Sequence, residues 1–345
     1  MEQPILEIHG LKKYFACQRT IANRLSRSPR KWVHAVDDVS LTINKGEILA
    51  LVGESGSGKT TLGMNVLGLQ VPTQGNILFD GHDVTSWAHG DLEDDALDPS
   101  ETKNRRAQIL ALRRRAQIIF QDPYESLNPR QNVFDTVAEP LIIHGIGATK
   151  TEKRAMVQKA LEDSGLAPAD HFWDRYPENL SGGQRQRLVI AAALVLEPEL
   201  LVADEPVSML DVSIRAEILN LLKDLRASRG ITILYTTHDL ATAGIFTDRM
   251  AVMYLGRIVE IGPTEDVLLA PRHPYTRALV SVIPAPNPRR RQEQIVLEGE
   301  VPNPVDIPPG CRFHPRCPQA QEACSQTDPA LVPVGKDHLA ACLYV

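Results

Sequence analysis

The segment GESGSGKT at residues 53–60 has the residue types and the spacing needed to hold a chain of phosphates. It fits the pattern G-x-x-x-x-G-K-[ST] in full. Gly53, Gly56 and Gly58 let the backbone turn tightly and aim its N–H groups at phosphate oxygens. A helix starting directly after them adds the partial positive charge of its N-terminus. Lys59 is placed to reach the β- and γ-phosphates, and Thr60 offers a hydroxyl to Mg²⁺. Ser55 and Thr61 complete this nucleotide-binding set. A Gly-Ser turn with a chance Lys is the bland alternative, and the flanking strand and helix patterns weigh against it.

Two acids end the apolar run LLVADEP at 200–206. Acids at the carboxyl end of a parallel strand face the crevice where open α/β sheets bind ligands. Asp204 suits direct or indirect Mg²⁺ coordination, and Glu205 suits polarising a water for in-line attack on a γ-phosphate. His238 ends a second apolar run, ITILYTTH, and opens onto the same crevice. It can donate to the γ-phosphate or hold the attacking water, but spacing alone favours a structural His at a strand end. LSGGQ at 180–184 supplies a second anion-suited helix start, with Ser181 as N-cap and Gly182 and Gly183 permitting close approach.

Cysteine use is lopsided. Cys17 stands alone, whereas Cys311, Cys317, Cys324 and Cys342 share the last 35 residues with spacing C-x5-C-x6-C-x17-C. Four thiolates can hold a [4Fe–4S] cluster or a Zn²⁺, although no C-x2-C pair is present. Disulfides are disfavoured if the chain is cytosolic. His314, in the same stretch, reads as a surface residue.

The elements that must position these groups follow from periodicity. Residues 5–9 and 39–43 alternate as half-buried strands, and 47–52 is a short buried strand. Residues 59–69 have helical spacing, 105–115 form a basic helical segment, and 117–120 read as a strand. A surface helix is predicted over 151–164, with another from Ser181 to about Leu196. Strands over 200–203, 231–237 and 250–254 interleave with helices over 212–226 and 240–246. Alternating strands and helices predict a largely parallel sheet. Residues 18–31 and 91–100 read as loops, 287–291 as a linker or solvated turn, and the tail as a small appended unit.

Composition bounds the function. The chain has 345 residues, 43% of them hydrophobic and 23% charged, and a formal charge of −6, which argues against a nucleic-acid binder. No run reaches the ~18 apolar residues of a membrane span. The opening MEQPILEIHGLKK lacks a secretory pattern, so the expectation is a cytosolic chain whose membrane role comes through partners.

LSGGQ between a phosphate loop and an LLVADE strand resembles the ATP-binding cassette family over roughly residues 5–263. The resemblance implies an α/β P-loop NTPase fold, with a RecA-like parallel sheet core, an antiparallel β subdomain and an inserted helical subdomain at about 125–182. Within it, KKYF is similar to the adenine-stacking loop, with Tyr14 as stacker and Phe15 as the alternative. Gln121 matches the glutamine that senses Mg²⁺ and contacts the membrane partner, so Thr60, Gln121 and Asp204 form the implied Mg²⁺ set. His238 matches the switch histidine, which makes Glu205, His238 and Gln121 the implied catalytic group. SMLD at 208–211 resembles the interface loop that brings Asp211 to the site, with Met209 where the family has a small residue. A head-to-tail dimer is implied, in which Ser181, Gly182, Gly183 and Gln184 of one subunit close over ATP held by the other.

QDPYESLNPR, YPENLSGGQRQR, PRHPYTRALV at 271–280 and the Pro-rich, Cys-bearing tail are similar to the oligopeptide/dipeptide/nickel importer ATPases, nearer the F-type subunit. That similarity implies a nucleotide-binding domain over 1–263 and a C-terminal extension over 264–345. It adds weight to a [4Fe–4S] cluster at Cys311, Cys317, Cys324 and Cys342, with Zn²⁺ as the alternative. Its implied partners are a second, different ATPase subunit, two transmembrane permeases and an external solute-binding protein, at the cytoplasmic face of the membrane. Cargo in this group also includes opines, oligosaccharides and nickel. The competing readings are a soluble cassette protein acting on nucleic acid or ribosomes, and a regulatory nucleotide-binding module without turnover. The first tends to carry a coiled-coil insertion or tandem cassettes, whereas here about 60 residues separate Gln121 from Ser181 and one cassette is present. Against the second stands the complete set Lys59, Asp204, Glu205 and His238. Arg113–Arg115, Arg289–Arg291 and the acidic insertion at 91–98 read as solvated charge.

Overall fold

A computed structural model describes residues 4–17, 30–87, 99–283 and 293–345. The loop at 18–31 (all but its last two residues), the insertion at 91–98 and the turn at 287–291 lie outside the described residues.

Ile48–Val52 (β3) is an unbroken apolar run with every residue buried. Such a run needs cover on both faces and a neighbour on both edges, as in a parallel sheet. It pairs in parallel with Thr232–Thr237 (β8) on one side and Arg249–Tyr254 (β9) on the other. Leu200–Asp204 (β7) pairs with β8, and Ala116–Ile119 (β6) pairs with β7, both in parallel. Register aligns the carboxyl ends: Val52 opposes Thr237, Asp204 opposes Thr236, and Ile119 opposes Ala203. Consequently Gly53, His238, Glu205 and Gln121 all follow strands at the same, carboxyl end of the sheet.

The helix Lys59–Val66 (α1) follows the phosphate loop. Pro99–Arg115 (α2) precedes β6. Between β6 and β7 lie Pro123–Ser126 (α3), Val133–Ile143 (α4), Lys150–Asp163 (α5) and Gly182–Leu194 (α6). A capping box at Thr149 and Glu152 starts α5, one residue before the predicted helix. Val212–Arg229 (α7) runs three residues beyond the prediction and stops at Gly230, whose φ of 67° suits a glycine C-cap.

Among the described residues, a separate four-stranded sheet has Pro4–Ala16 (β1) and Trp32–Asn44 (β2) as long antiparallel partners. Gln74–Phe79 (β4) and His82–Asp83 (β5) complete it, in the order β2-β1-β4-β5. Leu240–Phe246 (α8) follows β8, and Arg257–Pro263 (β10) pairs antiparallel with β9.

The tail is more than an appendage. After Thr264–Leu269 (α9) and Pro274–Ser281 (α10), the hairpin Val332–Gly335 (β11) and His338–Ala340 (β12) adds itself to the core sheet. β12 pairs with β10, Glu260 opposing Ala340, so the order is β11-β12-β10-β9-β3-β8-β7-β6. The buried carboxylate of Glu260 accepts from Nε2 of His338 at 2.7 Å and from the backbone N–H groups of Arg272 and His273, both at 2.8 Å. A buried carboxylate with three donors is satisfied, and it holds the end of the chain against the sheet.

Candidate nucleotide-binding site

Above the aligned strand ends opens a cavity of about 550 Å³. Ser55, Gly56, Gly58, Lys59, Thr60 and Thr61 border it from the phosphate loop. Gln121, Glu205 and His238 border it from the neighbouring strand ends. Phe15, Val33, Ala35 and Pro304 complete the wall. A residue from the far end of the chain therefore lines the same cavity.

The loop has no room for side chains at two of its glycines. A Cβ on Gly58 would lie 2.1 Å from the Ala35 carbonyl oxygen, and one on Gly53 would lie 2.2 Å from that of Met253. Gly58 also has φ of 107°, in the region that glycine alone adopts freely. It is the N-cap of α1 and makes no side-chain cap, which leaves the first N–H groups of the helix free for an anion. Lys59 is buried, and its Nζ donates to the carbonyls of Gly53 at 2.8 Å and Glu54 at 3.1 Å. Burial lowers its pKa from the ordinary value, while the carboxylates of Glu205, Asp204 and Glu54 oppose that shift.

Asp204 is buried and accepts from the hydroxyl of Thr236 on β8. Glu205 follows with φ of 46°, a left-handed backbone uncommon outside glycine. Such a conformation costs about 1–3 kcal/mol and persists where surrounding bonds enforce it. Here the Glu205 N–H donates to the Thr236 carbonyl at 3.0 Å, and the Glu205 carbonyl accepts from Ser208 N–H at 3.2 Å and Ser208 Oγ at 3.1 Å. The turn presents the carboxylate to two partners from two other strand ends. Oε2 lies 3.0 Å from Nδ1 of His238 and accepts from Nε2 of Gln121 at 3.2 Å.

Tyr14 is not among the residues bordering the cavity. Its hydroxyl donates to Asp37 at 2.5 Å and its ring packs 4.2 Å from that of His34; of the two aromatics, Phe15 is the one that borders the cavity. Successive strand residues point to opposite faces, and β1 shifts register between Lys13 and Tyr14. Alternation in the sequence therefore does not fix which aromatic faces the ligand.

Ser181 and Gln184 form a capping box at the start of α6: Ser181 Oγ accepts from Gln184 N–H at 3.2 Å, and Gln184 Oε1 accepts from Ser181 N–H at 3.0 Å. None of Ser181, Gly182, Gly183, Gln184 or Asp211 borders the cavity of its own chain. Met209 is 61% exposed, and Asp211 caps α7 without a side-chain bond.

Two contacts have no signal in the sequence. Glu54 N–H donates to Tyr275 Oη at 3.0 Å, and the Glu54 carboxylate accepts from Arg316 at 2.7 and 3.2 Å. Their partners stand 221 and 262 residues away.

Cys311, Cys317, Cys324 and Cys342 border one small cavity of about 20 Å³, together with His314. Burial raises the Cys311 thiol to about 11 and moves Cys317 in the same direction, and in both cases the neighbouring thiols add to it. Among the described residues, no group of three or more His, Cys, Asp or Glu is placed to hold a metal ion. All four thiols nonetheless converge on this one cavity. Among the same residues, no helix is long and apolar enough to cross a membrane.

Comparison with known proteins adds the following. The family model "ABC transporter" matches residues 36–208, and "Oligopeptide/dipeptide transporter, C-terminal region" matches 259–324. A protein of Brucella ovis, provisionally named a peptide import ATP-binding protein, is 46% identical over 99% of this chain and 98% of its own. The dipeptide transport ATP-binding proteins DppF of Haemophilus influenzae and Escherichia coli are 43% and 41% identical, over 99% and 100% of this chain and 97% and 96% of theirs. Among solved structures, cbiO1 of Clostridium perfringens, part of the ABC transporter complex cbiONQ, superposes with a TM-score of 0.61 at 30% identity, covering 78% of this chain and 92% of its own. A dimeric ATP-binding cassette bound to ADP and Pi gives 0.60 at 27% identity, over 75% and 98%.

Proposed function

This chain belongs to the ABC transporter family, whose ATP-binding subunits are ATPases that drive transport, and on that premise we propose that it is the F-type motor subunit of an importer of di- or oligopeptides. One observation carries the mechanism: the Glu205 carboxylate, the Lys59 loop, Gln121 and His238 border a single cavity.

In this reading the loop N–H groups and Lys59 hold the phosphates, and Phe15 stacks on the base. Thr60, Asp204 and Gln121 would hold Mg²⁺. A hydroxyl and a buried carboxylate suit that ion, which keeps several waters and phosphate oxygens of its own. When bound, it neutralises charge on the β- and γ-phosphates. Glu205 orients and deprotonates the attacking water, and His238 fixes the Glu205 carboxylate.

The remaining groups act across a dimer. Ser181–Gln184 and Asp211 face the site of a second ATPase subunit of a different chain. That they do not border the chain's own cavity and that a dimeric cassette is among its structural relatives both support this. Two permeases, contacted around Gln121, and an external binding protein complete the complex at the cytoplasmic face. We also propose that residues 1–263 form the nucleotide-binding unit, with its helical part at about 125–182, and that 264–345 form the extension. Names of the relatives support peptide cargo over an opine, an oligosaccharide or nickel, and disfavour a nucleic-acid or ribosome role.

Purification from solubilised membranes tests the assembly. Co-purifying permeases support it, and ribosomes or DNA in their place would overturn it. For the four cysteines we propose [4Fe–4S] ligation, with Zn²⁺ as the alternative, supported by their convergence on one cavity. Elemental analysis of anaerobically purified protein decides this: iron with sulfide, or zinc, supports a centre, and neither rejects it.

A further inference from the structure

The phosphate loop carries a carboxylate of its own, Glu54, directly after Gly53. A negative charge there opposes a nucleoside triphosphate and attracts Lys59, on which the Glu54 carboxylate acts through its charge, while the 3.1 Å bond from Lys59 Nζ goes to the Glu54 backbone carbonyl. The extension takes that carboxylate up. Arg316 Nη1 donates to Oε2 at 2.7 Å and Nη2 donates to Oε1 at 3.2 Å, a bidentate pair. The Arg316 side chain is only 8% exposed, and its guanidinium stands 5.9 Å from the ring centre of Tyr254. Tyr254 packs against Tyr275 at 4.7 Å and Phe313 at 5.3 Å, and Tyr275 Oη accepts the Glu54 N–H. Residue 54 is thus held by backbone and by side chain, both times from the extension.

We propose that Arg316 is a positioning residue for the nucleotide site: by pairing with Glu54 it withdraws that carboxylate from Lys59 and from the phosphates. ATP then meets a loop with no competing anion. Arg316 sits on the segment between Cys311 and Cys317, so whatever fixes that segment fixes the ion pair. The proposal rests on Gly53–Thr60 being the phosphate site.

A double-mutant cycle on the full-length subunit tests it, by equilibrium titration with labelled MgATP. Arg316→Ala is expected to weaken binding about tenfold, a typical size for coupling between sites. In a Glu54→Gln background the same substitution is expected to change binding by less than about twofold, because the anion it restrains is gone. The loss is expected in KM, with kcat at saturating ATP much less affected. Arg316→Lys, which keeps the charge and loses the fork, is expected to fall between, and its deficit is also expected to vanish beside Glu54→Gln. That second arm reads the coupling even if the alanine variant fails to fold. Equal losses in both backgrounds, or no loss in either, overturn the proposal. Lys59→Ala serves as the control: if it leaves ATP affinity unchanged, the phosphate-site reading itself fails, whereas if it abolishes binding and the cycle is additive, only the role of Arg316 falls.

Discussion

Oε2 of Glu205 lies 3.0 Å from Nδ1 of His238. An ionised carboxylate only accepts, so Nδ1 carries the proton in this contact. The ring is therefore oriented by the acid beside it, and Gln121 holds the same oxygen from the other side at 3.2 Å. Removing the ring should release the carboxylate without disturbing the phosphate loop. His238→Ala is expected to lower ATP turnover by about 10²-fold, the size seen when one preorganised group is removed from a reacting centre. ATP affinity, read in the same preparation by equilibrium titration, is expected to stay within about threefold.

Phe15 and Tyr14 differ in what they touch, which separates their variants. Stacking of a base on an aromatic ring contributes about 1–3 kcal/mol. Phe15→Ala is accordingly expected to raise the ATP Kd by about fivefold or more. Tyr14→Phe removes only the hydroxyl that donates to Asp37, and is expected to lower the melting temperature while leaving the Kd within about twofold. Calorimetric titration and thermal unfolding on both variants check this, and the opposite pattern would return the stacking role to Tyr14.

How much of this was legible in the sequence depends on range. The phosphate loop was legible because its chemistry, its strand and its helix occupy adjacent residues. Glu205 and His238 were legible because apolar runs that end in polar groups mark strand ends in a parallel sheet, and register then brings those ends together. The helix Val133–Ile143 has no clear periodic signal in the sequence, since its apolar positions are dense and Pro140 interrupts it. Which of Tyr14 and Phe15 borders the cavity depends on a register shift that no local pattern encodes. The tail reads as an appendage in sequence because β12 is three residues long and its partner β10 lies far back in the chain, Glu260 opposing Ala340. Arg316, Tyr275 and Pro304 escaped for the same reason: their partners are set by tertiary packing, not by spacing.

His273 offers a pH test of how firmly the extension is docked. It is buried and its ring accepts the Tyr275 N–H as the N-cap of α10, and burial pushes its pKa down to about 3. An unfolded chain protonates this group near 6.5, so the unfolded state binds more protons between those values. Stability contributed by the neutral ring is therefore present above pH 6.5 and is lost as the pH falls toward 3. His273→Asn keeps a capping acceptor and removes the titration. Urea unfolding at pH 7 and pH 5 is expected to show a smaller acid loss in the variant than in the parent chain.

The central claim is that Glu205 activates the water while the Gly53–Thr60 loop grips the nucleotide, and one paired measurement on Glu205→Gln tests it most directly. Turnover is expected to fall by about 10²–10⁴, the range of a lost general base, while the ATP Kd stays within about threefold of the parent. Near-normal turnover in that variant would contradict the account, because the group assigned to the reaction would then be dispensable.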